Sequence, residues 1–465
     1  MKKIVCLLSM YVSLAMVFTS CGKDDGEESL LAPAHAVGSL TFTDTDLDVQ
    51  KIGGTLSWQL PAQETHIDGY VIYLGSSSTA KGDRLGEVSK GVSSFTVPQG
   101  TALNAYLLVA AYNAAGESTN ITSIQVTDRT SADKEEPAPP RTVGVFVLNR
   151  GNYQENNASL SYYNLLEKVM IPDVYKSVNQ GQRLGDSAEQ ILIYGSRIYV
   201  TVTSSNSITI LDHTGGLIKK INPQGPLDEP LSPRRMAAEG GKVYVSYFAG
   251  HSVAVLDTTL LDIEKTVPVG RNPEQLAIAG GKLYVANSGG LSFPDYGHTL
   301  SVINLASFTV EKEIEVTINP VRLVTSSRGD IIYLISMGNY GDIGNTLQRI
   351  NTATDEVTKM GGGSIFTMAG DKLYVVYAQW GAPEITYTKY DALTGSVETD
   401  GFITDGTVIS SPSAIGVDPL DGKIYITDSA YGSTSTLYMF SADGKLETKI
   451  ETEGYDSSDI VFFVQ

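Results

Sequence analysis

Hydrophobic and polar residues alternate in short runs along most of the chain, and Gly, Asn, Asp or Pro separates one run from the next. Alternation with a period of two is typical of half-buried β-strands. One segment, an aromatic residue between aliphatic ones, occurs seven times with its aromatic positions 40 to 53 residues apart: Val145-Phe146-Val147, Ile198-Tyr199-Val200, Val243-Tyr244-Val245, Leu283-Tyr284-Val285, Ile332-Tyr333-Leu334, Leu373-Tyr374-Val375 and Ile424-Tyr425-Ile426. Such periods are typical of a β-propeller. The pattern predicts an all-β chain with a seven-bladed β-propeller over 142–465.

The first and last repeats are incomplete in a complementary way. The first begins directly at its second strand, Gly144 to Arg150, and the chain ends with the strand-like run Ser458 to Phe463. We expect this C-terminal strand to complete the first blade and to close the ring, because closure removes exposed sheet edges.

The region 36–128 has its own series of alternating strands. Trp58 lies in one strand, Tyr70-Val71-Ile72-Tyr73 in the next, and Tyr106 to Tyr112 in a later one that is followed by Asn113 and Gly116. These three strands resemble a fibronectin type III sandwich, a module that serves as a spacer or contact domain. The segment 129–141 reads RTSADKEEPAPPR and is predicted to be a linker.

The N-terminus has the pattern of an export signal. Lys2 and Lys3 precede an apolar run that ends at Phe18-Thr19-Ser20-Cys21, which resembles a bacterial lipobox. The resemblance implies a signal peptide over 1–20 and lipidation of Cys21, with 21–35 as an acidic tether. Lys23-Asp24-Asp25 resembles the surface-export signal of Bacteroidota lipoproteins, which implies an outer-membrane, cell-surface location. Soluble secretion and a merely solvated acidic spacer are the alternatives.

Composition excludes several function classes. The chain has 33 Lys and Arg against 52 Asp and Glu, a net charge of −19, which argues against nucleic acid as a partner. Both cysteines precede residue 22, so the folded regions have no disulfide and no cysteine nucleophile. No nucleotide-binding, hydrolase or metalloprotease motif is present. We therefore expect no cofactor, no metal and no enzymatic activity, with a propeller lyase or a quinoprotein as the enzymatic alternative.

The predicted strand order separates short turns from long loops. Turns such as Gly240-Gly241 and Gly280-Gly281 fall on one face of the ring, and long links such as 172–187 and 222–234 fall on the other, here called the long-loop face. Binding sites usually lie on long loops held by a rigid scaffold. Five arginines fall on this face: Arg150, Arg183, Arg234, Arg235 and Arg271. They are predicted to form a positively charged surface, the arginine sector, that binds a bulky anion. The alternative is that these arginines have a structural function in each blade. The same face also supplies aromatic residues, which either contact the ligand or pack between blades: Tyr153, Tyr247, Phe248, Tyr296, Tyr340, Trp380 and Tyr431.

Two stretches carry a resemblance to a known family. FVLNRGNYQENNASLSYYN and VYKSVNQGQRLGDSAEQ resemble the YncE-like or surface-layer propeller lipoproteins of gut Bacteroidota. The resemblance implies a binding protein that captures a metal-chelate nutrient and passes it to a TonB-dependent outer-membrane transporter. An anionic, aromatic ferric siderophore suits the predicted arginine sector and is favoured narrowly over cobalamin, which is large and nearly neutral. A protein- or glycan-binding adhesion module is the other alternative.

Overall fold

A computed structural model describes residues 31–34, 36–130, 139–379, 381–382 and 384–465. The chain forms two compact units, of which the first ends at Ala138 and the second spans Pro139–Gln465. The boundary falls inside the segment 129–141. Among the described residues, no helix has the length and apolar character that crossing a membrane requires. The predicted signal peptide, the predicted tether up to Glu28-Ser29-Leu30 and Cys21 lie outside the described residues.

The first unit consists of two antiparallel sheets. Its strands are β1 (Leu40–Phe42), β2 (Lys51–Trp58), β3 (Gly69–Gly75), β4 (Lys81–Ser89), β5 (Ser94–Ala102), β6 (Tyr106–Asn113) and β7 (Gly116–Gln125). One sheet has the order β1-β2-β5 and the other β4-β3-β6-β7. Trp58 and Tyr70 from the two sheets meet edge to face at 5.8 Å within a shared apolar core. The alternating apolar positions of these strands thus supply the inner faces of both sheets.

The second unit contains almost no helix. Its elements up to residue 268 are β8 (Thr142–Asn149), β9 (Ser159–Asn164), β10 (Val169–Ile171), α1 (Val174–Val178), β11 (Ala188–Tyr194), β12 (Arg197–Val202), β13 (Ser207–Leu211), β14 (Leu217–Ile221), β15 (Pro233–Glu239), β16 (Lys242–Tyr247), β17 (Ser252–Asp257) and β18 (Ile263–Pro268). The strands that follow are β19 (Pro273–Ala279), β20 (Lys282–Asn287), β21 (Thr299–Asn304), β22 (Thr309–Glu315), β23 (Pro320–Thr325), β24 (Ile331–Ser336), β25 (Thr346–Asn351) and β26 (Val357–Gly361). The last are β27 (Ile365–Ala369), β28 (Lys372–Tyr377), β29 (Thr386–Asp391), β30 (Val397–Thr399), β31 (Pro412–Val417), β32 (Ile424–Asp428), β33 (Thr434–Phe440), β34 (Leu446–Tyr455) and β35 (Ser457–Val464).

Within the described part of this unit, the strands form seven four-stranded antiparallel sheets. Sheet 1 has the order β10-β9-β8-β35, and sheets 2 to 7 are formed by consecutive strands, from β11–β14 to β31–β34. The innermost strands, β35, β11, β15, β19, β23, β27 and β31, contact one another in this order, and β31 contacts β35 again. The arrangement is consistent with a β-propeller.

Hydrophobic clusters lie between successive sheets. Phe146 of sheet 1 packs with Ile191 and Val200 of sheet 2, and corresponding clusters join the later sheets in turn. The last cluster joins Tyr425 of sheet 7 to Val145 of sheet 1. The recurrent aromatic residue always lies in the second strand of its sheet and is at most 8% exposed. The repeated motif is therefore a packing motif, because the second strand is covered on both faces.

The short turns join the first and second strands. Gly240 and Gly241 have φ values of 59° and 77° and link β15 to β16. A two-residue hairpin turn matches the twist of its flanking strands when both of its residues have positive φ. Glycine adopts this conformation without strain. The opposite ends of the strands carry longer links, such as Asn222 to Ser232 between β14 and β15. This is the long-loop face.

The C-terminal strand pairs with the first strand of the unit as expected. β35 is antiparallel to β8, with Ser457 opposite Asn149 and Phe462 opposite Val145. Ile460 of β35 is buried in the cluster that joins sheets 7 and 1.

Deleting residues 458–465 is expected to remove this pairing and to abolish the cooperative unfolding of the second unit, because it exposes β8 and two hydrophobic clusters together. Thermal melting followed by circular dichroism measures the change. As a matched pair, Ile460→Asp should lower the melting temperature strongly and Val464→Asp only slightly, since Val464 is 36% exposed. A truncated protein with the melting curve of the full chain would refute the closure.

Candidate functional site

The innermost strands are irregular where they begin, at the long-loop face. In six of the sheets the register between the first and second strands shifts there, as at Ala188/Gln190, Pro233/Met236 and Pro320/Arg322. A β-bulge inserts extra residues and redirects their side chains. The bulges of sheets 2, 3 and 4 insert Glu189, the pair Arg234 and Arg235, and Glu274 with its neighbour Gln275. The repeated bulge thus places charged side chains at one end of the innermost strands.

Glu189 is the centre of the resulting cluster. Its side chain is 3% exposed and receives three arginines. Arg234 Nη1 donates to Oε1 at 2.6 Å, and Arg150 Nη2 donates to Oε2 at 3.3 Å. Arg235 donates from Nη2 to Oε2 at 3.4 Å and from Nη1 to the backbone oxygen of Glu189 at 2.5 Å. One buried carboxylate therefore neutralises part of the charge of three arginines, two from β15 of sheet 3 and one from the loop that follows β8 of sheet 1.

Two further carboxylates complete the pairing. Arg234 donates from Nε and Nη2 to Glu274 at 2.9 and 3.1 Å, a bidentate contact that fixes the guanidinium plane. The same guanidinium lies over the ring of Phe248 at 4.9 Å. Arg150 Nη1 donates to Asp456 Oδ2 at 2.6 Å. These contacts hold the arginines in fixed positions.

The cluster shifts the acidity of its members. Burial by itself would raise the pKa of Glu189, but the charges of Arg150, Arg234 and Arg235 outweigh it and lower the pKa to about 2. Asp459 shows the opposite balance: burial raises its pKa to about 6, and Arg235 only partly offsets the effect. Burial lowers the pKa of Arg322 to about 10, and the nearby charge of Arg235 adds to the shift. Asp459 and Arg322 keep partial contact with solvent.

The predicted arginine sector is corrected in two respects. Arg150, Arg234 and Arg235 do come together, but each is paired with a carboxylate, so they do not form a free positive surface. Arg183 and Arg271 are exposed and contact other groups. Arg183 donates to the backbone oxygen of Asn156, and Arg271 to Ser292 Oγ and the backbone oxygen of Asp295. Burying arginines beside their carboxylates is the stable arrangement because an unpaired buried charge is costly.

The predicted aromatic residues fall into two groups. Tyr153 and Tyr340 are 74% and 70% exposed, and Tyr431 is fully exposed. Tyr296 is partly buried and meets Tyr340 edge to face at 6.1 Å. The sequence predicts Tyr247 at the ligand surface, but its side chain is 1% exposed, because it ends β16 inside the cluster between sheets 2 and 3. Phe248 is partly buried under Arg234, and Trp380 lies outside the described residues.

Two clefts open beside these aromatic residues. Tyr153 and Tyr431 line a cleft of about 320 Å³ together with Arg150 and Asp456. Arg271, Tyr296 and His298 line another of about 550 Å³. The first cleft therefore connects exposed aromatic rings directly to the charged cluster. Among the described residues, no group of three His, Cys, Asp or Glu side chains is arranged to hold a metal ion.

Sequence reasoning missed the acidic half of the cluster and one arginine: Glu189, Glu274, Arg322, Asp456 and Asp459. A signal existed in the short segments that begin the innermost strands, SAEQ, SPRR, NPEQ, NPVR and SSDI. Each carries a charged residue at a comparable position. Aligning the repeats at these segments, rather than at the aromatic motif, would have indicated a ring of opposite charges.

Replacing Glu189 by Gln removes the shared negative charge from the buried Arg235 and from the partly buried Arg150 and Arg234. We expect a loss of about 3–5 kcal/mol in the free energy of unfolding at pH 7, measured by urea denaturation. The exposed Glu167 provides the matched control, since Glu167→Gln should change stability by no more than about 0.5 kcal/mol. Equal stabilities of the two variants would show that Glu189 does not hold the cluster.

The raised pKa of Asp459 predicts a dependence of stability on pH. The folded state holds the proton more tightly than the unfolded state, so stability falls as pH rises from about 4, the ordinary value, through about 6. Asp459→Asn should therefore gain about 1 kcal/mol at pH 7.5, a value reduced for solvent screening, and little near pH 4. The exposed Asp400→Asn serves as control. A gain that is the same at both pH values would contradict the assignment.

Several solved structures are similar to this chain at low sequence identity. A solved protein from Lactobacillus plantarum is 13% identical, with 70% of this chain and 100% of that chain covered and a TM-score of 0.49. A functionally unknown protein from Desulfotomaculum acetoxidans is 12% identical, with 69% and 99% covered and a TM-score of 0.49. Hydrazine synthase of Kuenenia stuttgartiensis is 18% identical, with 57% and 86% covered and a TM-score of 0.46. These similarities are too low to carry an argument about function.

No curated protein matches the chain. A family model does match, and it covers nearly the whole second unit, residues 143–463. The charged cluster and both clefts lie within this range. The chain belongs to the family described as "Domain of unknown function (DUF5074)".

Proposed function

We propose that the second unit is a seven-bladed β-propeller and the first a fibronectin type III-like sandwich. Seven four-stranded sheets with hydrophobic clusters between consecutive members support the blade count. The sheet orders β1-β2-β5 and β4-β3-β6-β7 around Trp58 support the sandwich. In this architecture the sandwich is a spacer between the lipid anchor and the propeller.

The propeller captures a bulky small molecule at its long-loop face. The observation that carries this function is the set of exposed aromatic rings next to an internally paired charged cluster. Tyr153 and Tyr431 are exposed and share a cleft with Arg150 and Asp456. Rigid aromatic side chains provide a large contact area at a low entropic cost, and paired charges provide fixed hydrogen-bonding groups.

The pairing of the arginines changes which ligand is favoured. Arg150, Arg234 and Arg235 already contact Glu189, so an anionic triscatecholate iron complex would have to compete with that carboxylate. Breaking such buried pairs is costly. A corrinoid is nearly neutral and is bound through aromatic and polar contacts, which suits this surface. We therefore favour a corrinoid such as cobalamin over a ferric siderophore.

The N-terminal sequence carries the signals for the location of the protein. Lys2, Lys3 and the segment ending at Cys21 support export and lipid anchoring, and Lys23-Asp24-Asp25 supports exposure at the outer surface of the outer membrane. A binder at this location would pass its ligand to a TonB-dependent transporter. The protein acts as a carrier and not as an enzyme.

Purified mature protein should bind cyanocobalamin more tightly than ferric enterobactin, as measured by isothermal titration calorimetry with visible absorbance as a second readout. Tyr431→Ala and Tyr153→Ala should each weaken cyanocobalamin binding about tenfold, the usual effect of removing a central aromatic contact. Leu420→Ala is the control, because Leu420 is 48% exposed in a turn between β31 and β32, away from the long-loop face.

Tighter binding of ferric enterobactin would favour the siderophore hypothesis instead. It would also mean that the ion pairs of Arg150, Arg234 and Arg235 with Glu189 break when the ligand binds. Binding of neither ligand, together with a stable complex with a TonB-dependent receptor, would favour the adhesion alternative.

A further inference from the structure

The cleft of about 550 Å³ beside sheet 4 has a buried hydrogen-bond acceptor in its wall. Asn287, which ends β20, lines this cleft and is 1% exposed. Its Nδ2 donates to Thr299 Oγ1 at 3.0 Å and to Ser301 Oγ at 2.9 Å, and these two bonds fix the orientation of the amide. Its Oδ1 has no hydrogen-bond partner within the part of the chain that the structure describes. A buried acceptor without a donor is costly, so this oxygen calls for an explanation.

Sheet 1 contains the same arrangement with its donors in place. Asn149 ends β8 as Asn287 ends β20, and its Nδ2 likewise donates to two serine hydroxyls of the neighbouring strand β9. In sheet 1, however, Oδ1 of the asparagine accepts two hydrogen bonds, from Ser457 Oγ at 2.8 Å and from Thr452 Oγ1 at 3.3 Å. An asparagine at this position is therefore satisfied by two hydroxyl donors from the innermost strand and the segment before it.

The strand register identifies the residue of sheet 4 that corresponds to the first donor. Ser457 lies opposite Asn149 in sheet 1, and Pro273 lies opposite Asn287 in sheet 4. Proline has neither a hydroxyl group nor a backbone N–H group to donate. The stronger of the two donors in sheet 1 thus has no counterpart in sheet 4.

The second donor is replaced in the same way. Thr452 and Pro268 stand five residues before Ser457 and Pro273, respectively. A glycine between them supports this alignment, since Gly454 and Gly270 each lie so close to the asparagine side chain that a Cβ atom would clash with it. Thr452 is fully buried, whereas Pro268 is exposed. Sheet 4 therefore lacks both donors and is open to solvent on this side.

An aromatic ring forms another part of the cleft. Tyr296 lines it and is partly buried. Phe293 and Tyr340 flank this ring edge to face, at centroid distances of 6.2 and 6.1 Å. A ring that is held by two neighbours presents a fixed apolar surface to a ligand.

The charges around the cleft favour a neutral ligand. Arg271, Asp295 and Glu313 line it, so one cation stands against two acids and gives no positive surplus that selects an anion. Arg271 donates to Ser292 Oγ at 3.0 Å and to the backbone oxygen of Asp295 at 3.1 Å, which fixes the guanidinium group. Glu313 accepts Ser301 Oγ at 3.4 Å. These groups offer donors and acceptors at fixed positions.

A neighbouring cleft of about 520 Å³ continues the first one. The two share His298 and Ile318. The wall of the second cleft includes Thr317, whose Oγ1 is also buried without a hydrogen-bond partner among the described residues. Both volumes lie in the range of small-molecule sites, about 300–1,000 Å³. Two adjoining clefts that each contain an unpartnered polar atom suit a ligand built of similar polar units.

We propose that these joined clefts bind a saccharide of at least two sugar rings. Each sugar hydroxyl both donates and accepts, so one hydroxyl donates to Asn287 Oδ1 in place of the donors that sheet 1 has and sheet 4 lacks. The C–H face of the same sugar ring packs on Tyr296, and the next ring reaches Thr317. The site lies apart from the cleft of Tyr153 and Tyr431 and does not depend on corrinoid capture.

The test uses the full mature protein and isothermal titration calorimetry. The probes are the methyl glycosides of glucose, mannose, galactose and N-acetylglucosamine, together with a trisaccharide of each sugar. We expect saturable binding of at least one trisaccharide, and weaker binding of its monosaccharide because that probe fills only one cleft.

The double variant Pro268→Thr/Pro273→Ser supplies sheet 4 with the two hydroxyl donors of sheet 1. Both lone pairs of Asn287 Oδ1 are then occupied, and binding of the trisaccharide should weaken at least tenfold. Pro320→Ser is the matched control, because Pro320 begins β23 opposite Ser336, whose hydroxyl already donates to the backbone oxygen of Thr317. Cooperative thermal melting of both variants, followed by circular dichroism, verifies that they fold.

Two further variants test the rest of the site without changing the asparagine. Tyr296→Ala should weaken the trisaccharide and its monosaccharide about tenfold each, as expected for a central aromatic contact. Thr317→Val should weaken the trisaccharide more than the monosaccharide. The proposal is overturned if no probe binds, or if the trisaccharide binds equally well to the double variant, Tyr296→Ala and Pro320→Ser.

The outcome is separable from that of the proposed function. Trisaccharide binding without any binding of cyanocobalamin would keep the saccharide site and reject corrinoid capture, and the reverse result would do the opposite. Binding of both ligands without competition would support two independent sites. Competition between them would overturn the saccharide site as a separate one.

Discussion

The pairing of β35 with β8 is the interaction on which the second unit depends. It joins residues more than 300 positions apart, such as Asn149 and Ser457, and it supplies the innermost strand of sheet 1 from the far end of the chain. When sheets pack face to face in a series, every sheet is covered on both faces only if the last sheet packs against the first. Here the last and first sheets pack together in one hydrophobic cluster, which contains Tyr425 of sheet 7 and Val145 of sheet 1. Closure therefore stabilises all the sheets at once, and no disulfide is needed.

The same pairing also completes the charged cluster. Asp456 and Asp459 belong to the C-terminal segment, whereas Glu189, Arg234 and Arg235 belong to the sheets that follow sheet 1. Arg150 connects the two sets by contacting both Asp456 and Glu189. The site and the closure are thus one structural unit, and the stability of the fold fixes the spacing of the charges.

Charge pairing determines the electrostatic character of the long-loop face. The acidic protein as a whole repels anions, and arginines that already contact carboxylates do not reverse this effect locally. The accessible features of this face are the aromatic rings of Tyr153 and Tyr431 and the polar groups that line the cleft beside them. For the binding function proposed above, such a surface favours a large, nearly neutral molecule over a highly charged one.

The sequence by itself determined the strands, their repeat and the strand that joins the ends. Alternation and the aromatic motif are local properties, and they follow from which residues a strand must bury. The arginines of the cluster were also found from the sequence, apart from Arg322. Only the tertiary structure decided their partners and the burial of Tyr247. Ion pairing depends on distances between sheets that are far apart in the chain. The segments that form the bulges do recur in the sequence, but their recurrence does not say which of the charged side chains meet. The change from a positive sector to a paired cluster is therefore a consequence of tertiary packing.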